Sequence, residues 1–107
     1  MTRFVPSAAA FIRRERNYLR QRSPAAVRHF LADIASVVEM LDAHPDIGTP
    51  LAALRDTPLA GIRRWIKGGY SFDYELDADG RAIVILVRHQ AQDDPFLFFV
   101  PDDTDED

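Results

Sequence analysis

The sequence predicts an α+β fold of two layers: a short N-terminal strand, a helix hairpin, then a three-stranded antiparallel meander. Two changes of rhythm carry that reading. Before residue 44 the apolar residues recur at three- and four-residue steps, the period of a helix with one buried face. After residue 61 they alternate with polar residues, the period of a half-buried strand. Runs of helix on one side and strand on the other pack as helices against one face of a mostly antiparallel sheet.

Each element has its own signals. Arg3 to Val5 makes a short strand that Pro6 ends, because proline brings no N–H to a ladder. Ser7 sits at an N-cap position ahead of Ala8-Ala9-Ala10, and a first helix follows with Ala8, Phe11, Ile12, Tyr18 and Leu19 on its inner face. Ser23-Pro24 reads as an N-cap with proline at the first helical position, so a second helix starts directly and the two form a hairpin. Val27, Phe30, Leu31, Ile34, Val37, Val38 and Leu41 give it an unbroken apolar stripe, and His44-Pro45 stops it. Residues 46–60 hold Gly48, Pro50 and Pro58 and read as a loop with one helical turn near Leu51 to Leu54.

Ile62 to Lys67 is the first strand of the meander, and Gly68-Gly69 supplies the positive φ angles of a tight hairpin. Tyr70, Phe72, Tyr74 and Leu76 alternate with Ser71, Asp73 and Glu75 in the second strand. Asp77 to Gly80 makes a turn, and Arg81 to His89 carries the apolar run of a centrally placed third strand.

Composition narrows the function classes. The chain has 107 residues, room for one core, with 47% apolar and 28% charged residues. A single domain over residues 1–100 and an acidic, disordered tail over 101–107 are expected. The absence of cysteine excludes disulfides, thiolate metal sites and a cysteine nucleophile. The apolar runs Ala82 to Val87 and Phe96 to Val100 are far shorter than the roughly 20 residues that span a bilayer. The N-terminus lacks a secretory pattern, so a cytoplasmic protein is expected. Neither cofactor nor metal is expected, since the phosphate-binding glycine loop, paired ligand spacing and nucleophile elbow are all missing.

The net charge of −4 is uneven. Five acids fall in the last six positions and leave the remainder at +1. Arg13, Arg14, Arg16, Arg20 and Arg22 face only Glu15, a local excess of about +4 on the first helix. An acidic whole chain does not bind nucleic acid tightly along its full surface, so any such contact would be local. His29 and His44 read as structural residues. His89 ends the last strand beside Arg88, where an imidazole is able to carry a proton near neutral pH. Alternation puts Arg63 and Lys67 on one face and Arg64 on the other, and cations that converge with Arg88 would hold a phosphate or carboxylate. Phe96 to Val100 is too apolar to lie free in water and is expected to pack on the sheet or a partner.

Several pieces together resemble the RelE/ParE superfamily, the toxins of bacterial type II toxin-antitoxin modules, over roughly residues 3 to 95. They are Ser23-Pro24-Ala25-Ala26, His44-Pro45-Asp46-Ile47-Gly48, Gly61-Ile62-Arg63, Gly69-Tyr70 through Tyr74, Val87-Arg88-His89 and Asp94-Pro95. The resemblance implies a toxin silenced by a cognate antitoxin encoded beside it, in a toxin–antitoxin hetero-oligomer. It also implies one of two targets: RelE-like members cut mRNA on the ribosome, whereas ParE-like members poison DNA gyrase.

Two departures favour the ParE-like branch. Ser71 stands where many mRNA-cutting members have Arg, and Gln90-Ala91-Gln92 replaces a basic ending. Both remove cations that phosphate chemistry needs, and Phe96 to Val100 offers no second proton-transfer group. The expectation is a non-enzymatic gyrase inhibitor that arrests growth as part of a stress response. Arg13, Arg14, Arg20, Arg63, Arg88 and His89 are the expected contacts to target or antitoxin. The alternative is a ribosome-dependent endonuclease with His89 as base and Arg63, Arg64 and Arg88 as phosphate clamps. A third reading is an attenuated paralogue that only binds antitoxin.

Overall fold

A computed structural model of the chain describes residues 1–90. Along it run β1 (Arg3–Phe4), α1 (Pro6–Arg20), α2 (Pro24–Ala43), β2 (Thr49–Pro50), a 3-10 turn (Ala52–Leu54), β3 (Arg63–Lys67), β4 (Tyr70–Leu76) and β5 (Ala82–His89). The five strands form one sheet in the order β1-β5-β4-β3-β2. β1 runs parallel to β5 and every other pair is antiparallel. The helix hairpin covers one face, which is the α+β architecture the sequence predicts.

The start of α1 differs from the sequence reading. Val5 is the N-cap and Pro6 occupies the first helical position, so Ser7 lies inside the helix. Proline is suited to that place because the first-turn N–H it lacks has no partner within a helix. The α2 start is as expected: Ser23 Oγ accepts the Ala26 N–H at 3.2 Å, with Pro24 at N1. His44 caps the other end, its N–H bonded to the Met40 carbonyl.

Two residues expected inside are outside. Tyr18 is 49% exposed and Leu31 42%. Their neighbours Leu19 and Phe30 take the inward places instead, and Tyr18 carries the Arg22 guanidinium 4.6 Å over its ring. The inner stripes consist of Ala8 with Phe11, Ile12 and Leu19 from α1, and Phe30, Ile34, Val37 and Leu41 from α2. They pack on Tyr70, Phe72, Tyr74, Ala82, Val84 and Val87 of the sheet.

The loop after α2 contains a strand the sequence does not announce. Thr49 and Pro50 pair with Arg64 and Arg63 at the sheet edge, where a proline breaks no ladder. Gly48 explains the preceding motif. Its N–H donates to Tyr74 Oη at 2.7 Å, and a Cβ there would stand 2.6 Å from that oxygen. Only glycine lets the loop close on the buried tyrosine.

The β3–β4 hairpin turns on Gly68 and Gly69 at φ 62° and 85°. Between β4 and β5 the register slips at Asp73/Tyr74, so Ile85 is an extra residue and Val84 and Val87 both face the helices. The acidic tail and the Phe96 to Val100 run lie outside the described residues.

Candidate functional site

Strand pairing sets which side chains meet. Lys67, Tyr70 and His89 form one row across β3, β4 and β5, on the face the helices cover. Ile66, Ser71 and Arg88 form the next row, on the opposite face. Arg88 and His89 are consecutive on one strand and therefore point to opposite sides of the sheet.

His89 joins a polar cluster that sequence reasoning did not find. Its Nε2 lies 2.6 Å from Glu15 Oε2, and the same carboxylate oxygen accepts the Tyr70 hydroxyl. The Tyr70 and His89 rings lie 4.5 Å apart, with Phe30 at 5.0 Å from Tyr70 and Phe11 edge-on to both. Burial and the bond to Glu15 push the Tyr70 phenol well above the usual tyrosine range. Glu15 is buried although it is the only acid in α1. The signal was present: position 15 follows Ala8 by seven and Phe11 by four, so a charged residue occupies the inner stripe.

The cations expected around His89 are engaged elsewhere. Arg63 donates through Nη1 to the carbonyls of Asp46 at 3.0 Å and Gly48 at 2.8 Å, fixing the loop after α2. Arg64 lies on the far face and forms a bidentate pair with Asp73, Nε to Oδ1 at 2.7 Å and Nη2 to Oδ2 at 3.0 Å. Asp73 is fully buried in that pair. Arg88 is also buried, with Nη1 donating to its neighbour's carbonyl at 3.1 Å. Of the β3–β5 cations, Lys67 shares the His89 row.

The α1 arginines have a different setting. Arg13, Arg14 and Arg20 are exposed, and no carboxylate pairs with them among the described residues. Spacing of seven residues stacks Arg13 and Arg20 on the same outer face, with Asn17 between them. The inward turn of Glu15 leaves that face with cations alone. His29 is exposed on α2, apart from the cluster.

Residues 2–94 match the family model described as the ParE toxin of the type II toxin-antitoxin system parDE. The chain belongs to the ParE toxin family. No curated protein matches it. As a ParE-family toxin of a type II system it has an antitoxin partner. Among the described residues of this ParE-family toxin, no helix is long and apolar enough to cross a membrane. Nor does any group of three or more His, Cys, Asp or Glu come together as a metal site would require.

Proposed function

We propose that this ParE-family toxin arrests growth by poisoning DNA gyrase in the cytoplasm, and that binding of its antitoxin relieves the arrest. The observation that carries the reading is the division of Arg88 and His89 between the two faces of β5. RNA cleavage by attack of a 2′-hydroxyl needs a base and several cations around one phosphate. Here the base candidate His89 lies on the helix side, bonded to Glu15, while Arg64 and Arg88 lie on the other and Arg63 holds a loop. A phosphate at His89 would meet Lys67 rather than three arginines.

Under this reading Arg13, Arg14 and Arg20 of α1 contact the target, and the β5 end with Arg88 and His89 belongs to the antitoxin side. Regulated expression tests it. The expected outcome is growth arrest with full-length mRNA, reversed when the protein encoded by the adjacent reading frame is co-expressed. Fragmented mRNA would favour the endonuclease, and unimpeded growth the attenuated paralogue.

A further inference from the structure

The outer face of α1 presents exposed cations and no exposed acid. Arg13, Arg14 and Arg20 are exposed on the helix, and Arg22 follows it with its guanidinium over the Tyr18 ring. The one carboxylate of the helix is turned inward and bonded to His89 and Tyr70. An ordinary solvated helix carries acids among its bases, four residues apart, and gains from the pairing. This one keeps like charges together and gives up that gain, which points to an anion supplied by a partner.

The chemistry of the face narrows the anion. Every cation on it is arginine, whose planar fork grips phosphate with two parallel bonds and whose π-surface lies on aromatic rings. Arg13 and Arg20 are separated by about 10 Å along the helix axis, a span of about three phosphates on one DNA strand. Asn17, exposed between them, adds a neutral hydrogen-bonding group of the kind found at phosphate contacts. We infer that the Arg13–Arg14–Arg20 face of α1 binds the phosphodiester backbone of duplex DNA, so that the toxin bridges gyrase and the DNA it holds. This deepens the gyrase reading and rests on it for the bridging.

Contact with backbone phosphates needs no base sequence. The chain's net charge of −4 keeps such binding weak on free DNA, which makes it effective only where another protein presents the duplex.

The test uses the full chain and a fluorescein-labelled DNA duplex, with anisotropy followed as salt is raised from about 50 mM. The expected result is saturable binding whose affinity falls with salt at a log–log slope of about −3. Arg13→Glu with Arg20→Glu should flatten that slope by about 2 and weaken binding more than tenfold. Arg55→Glu with Arg81→Glu, an equal charge change at exposed positions off the helix, should behave nearly as the parent chain. Circular dichroism melting shows that the variants are folded.

A parent chain that does not bind the duplex at low salt overturns the inference, as does an equal loss in both double variants. Labelled poly-glutamate of matched charge binding more tightly than DNA overturns it in favour of an acidic protein partner. A duplex RNA preferred by more than tenfold overturns it in favour of RNA. Because the duplex assay contains no gyrase, DNA binding that passes beside a gyrase that is not poisoned would retain this inference and remove only the bridging.

Discussion

Glu15 Oε2 lies 2.6 Å from His89 Nε2, so the sole carboxylate of α1 is bonded to the last residue of β5. That pairing ties the first helix to the far end of the sheet and sets the character of both surfaces. It withdraws the one carboxylate of α1 from the outside of the helix and commits His89 Nε2 to the helix side. The tyrosine hydroxyl that shares the carboxylate makes the cluster a three-way junction.

Removing the junction's centre should show in stability. Glu15→Ala leaves a buried hydroxyl without its acceptor and is expected to cost about 1–3 kcal/mol. Tyr70→Phe should cost less, because the ring packing on Phe30 and Phe11 survives. The double variant should fall short of the sum of the two by at least about 0.5 kcal/mol, since both remove one bond. Urea unfolding midpoints of the four proteins measure this.

The raised Tyr70 phenol predicts alkaline weakness. A group whose folded pKa lies above its unfolded value of 10.0 contributes stability fully below that value and loses it as pH rises beyond. Stability should therefore decline above about pH 10. Tyr70→Phe should reduce that decline without abolishing it, because burial also raises Tyr74. Thermal melts between pH 8 and 11 read the slope.

At the acid end the sign reverses. Hydrogen bonds from the Thr2 hydroxyl and N–H, at 2.7 and 2.5 Å, hold the Asp42 carboxyl below its ordinary range. A lowered folded pKa contributes stability above the unfolded value of 3.8 that is lost as pH falls through the folded one. Asp42→Asn should flatten the pH dependence of melting below about pH 4, because only the unmodified chain has that proton to take up.

Two glycines of one loop should behave oppositely. Gly48→Ala drives a methyl to 2.6 Å from Tyr74 Oη and is expected to destabilise by about 1–3 kcal/mol. Gly61→Ala meets nothing within 4 Å at an ordinary φ, and is expected to be neutral or to stabilise by about 0.4–1 kcal/mol. Equal effects from the two would remove the close packing of loop and tyrosine as the reason for the motif.

The elements that sequence reasoning found are those whose signals are local. Ser23-Pro24 caps α2 with groups one turn apart, and Tyr70 to Leu76 alternates within its own strand. What it missed depends on distant partners. Thr49-Pro50 becomes a strand only because Arg63 and Arg64 lie beside it. Tyr18 fits an apolar stripe, yet its ring lies exposed under the Arg22 guanidinium while its neighbour Leu19 takes the inward place. Glu15 reads as one acid among arginines until residues 70 and 89 arrive from across the fold. The separation of Arg88 from His89 was legible, because neighbours in a strand face opposite ways. The convergence of Arg63 with Arg88 looked open until the loop carbonyls claimed the former.

The most direct test of the gyrase reading is one preparation of the full chain assayed in parallel, with gyrase and supercoiled plasmid in one tube and with translating ribosomes and mRNA in the other. The account predicts cleaved DNA trapped on gyrase while the mRNA stays intact. Cut mRNA beside untouched gyrase would contradict it, and would mean that His89, Glu15 and Lys67 suffice for RNA chemistry without the arginines of the opposite face.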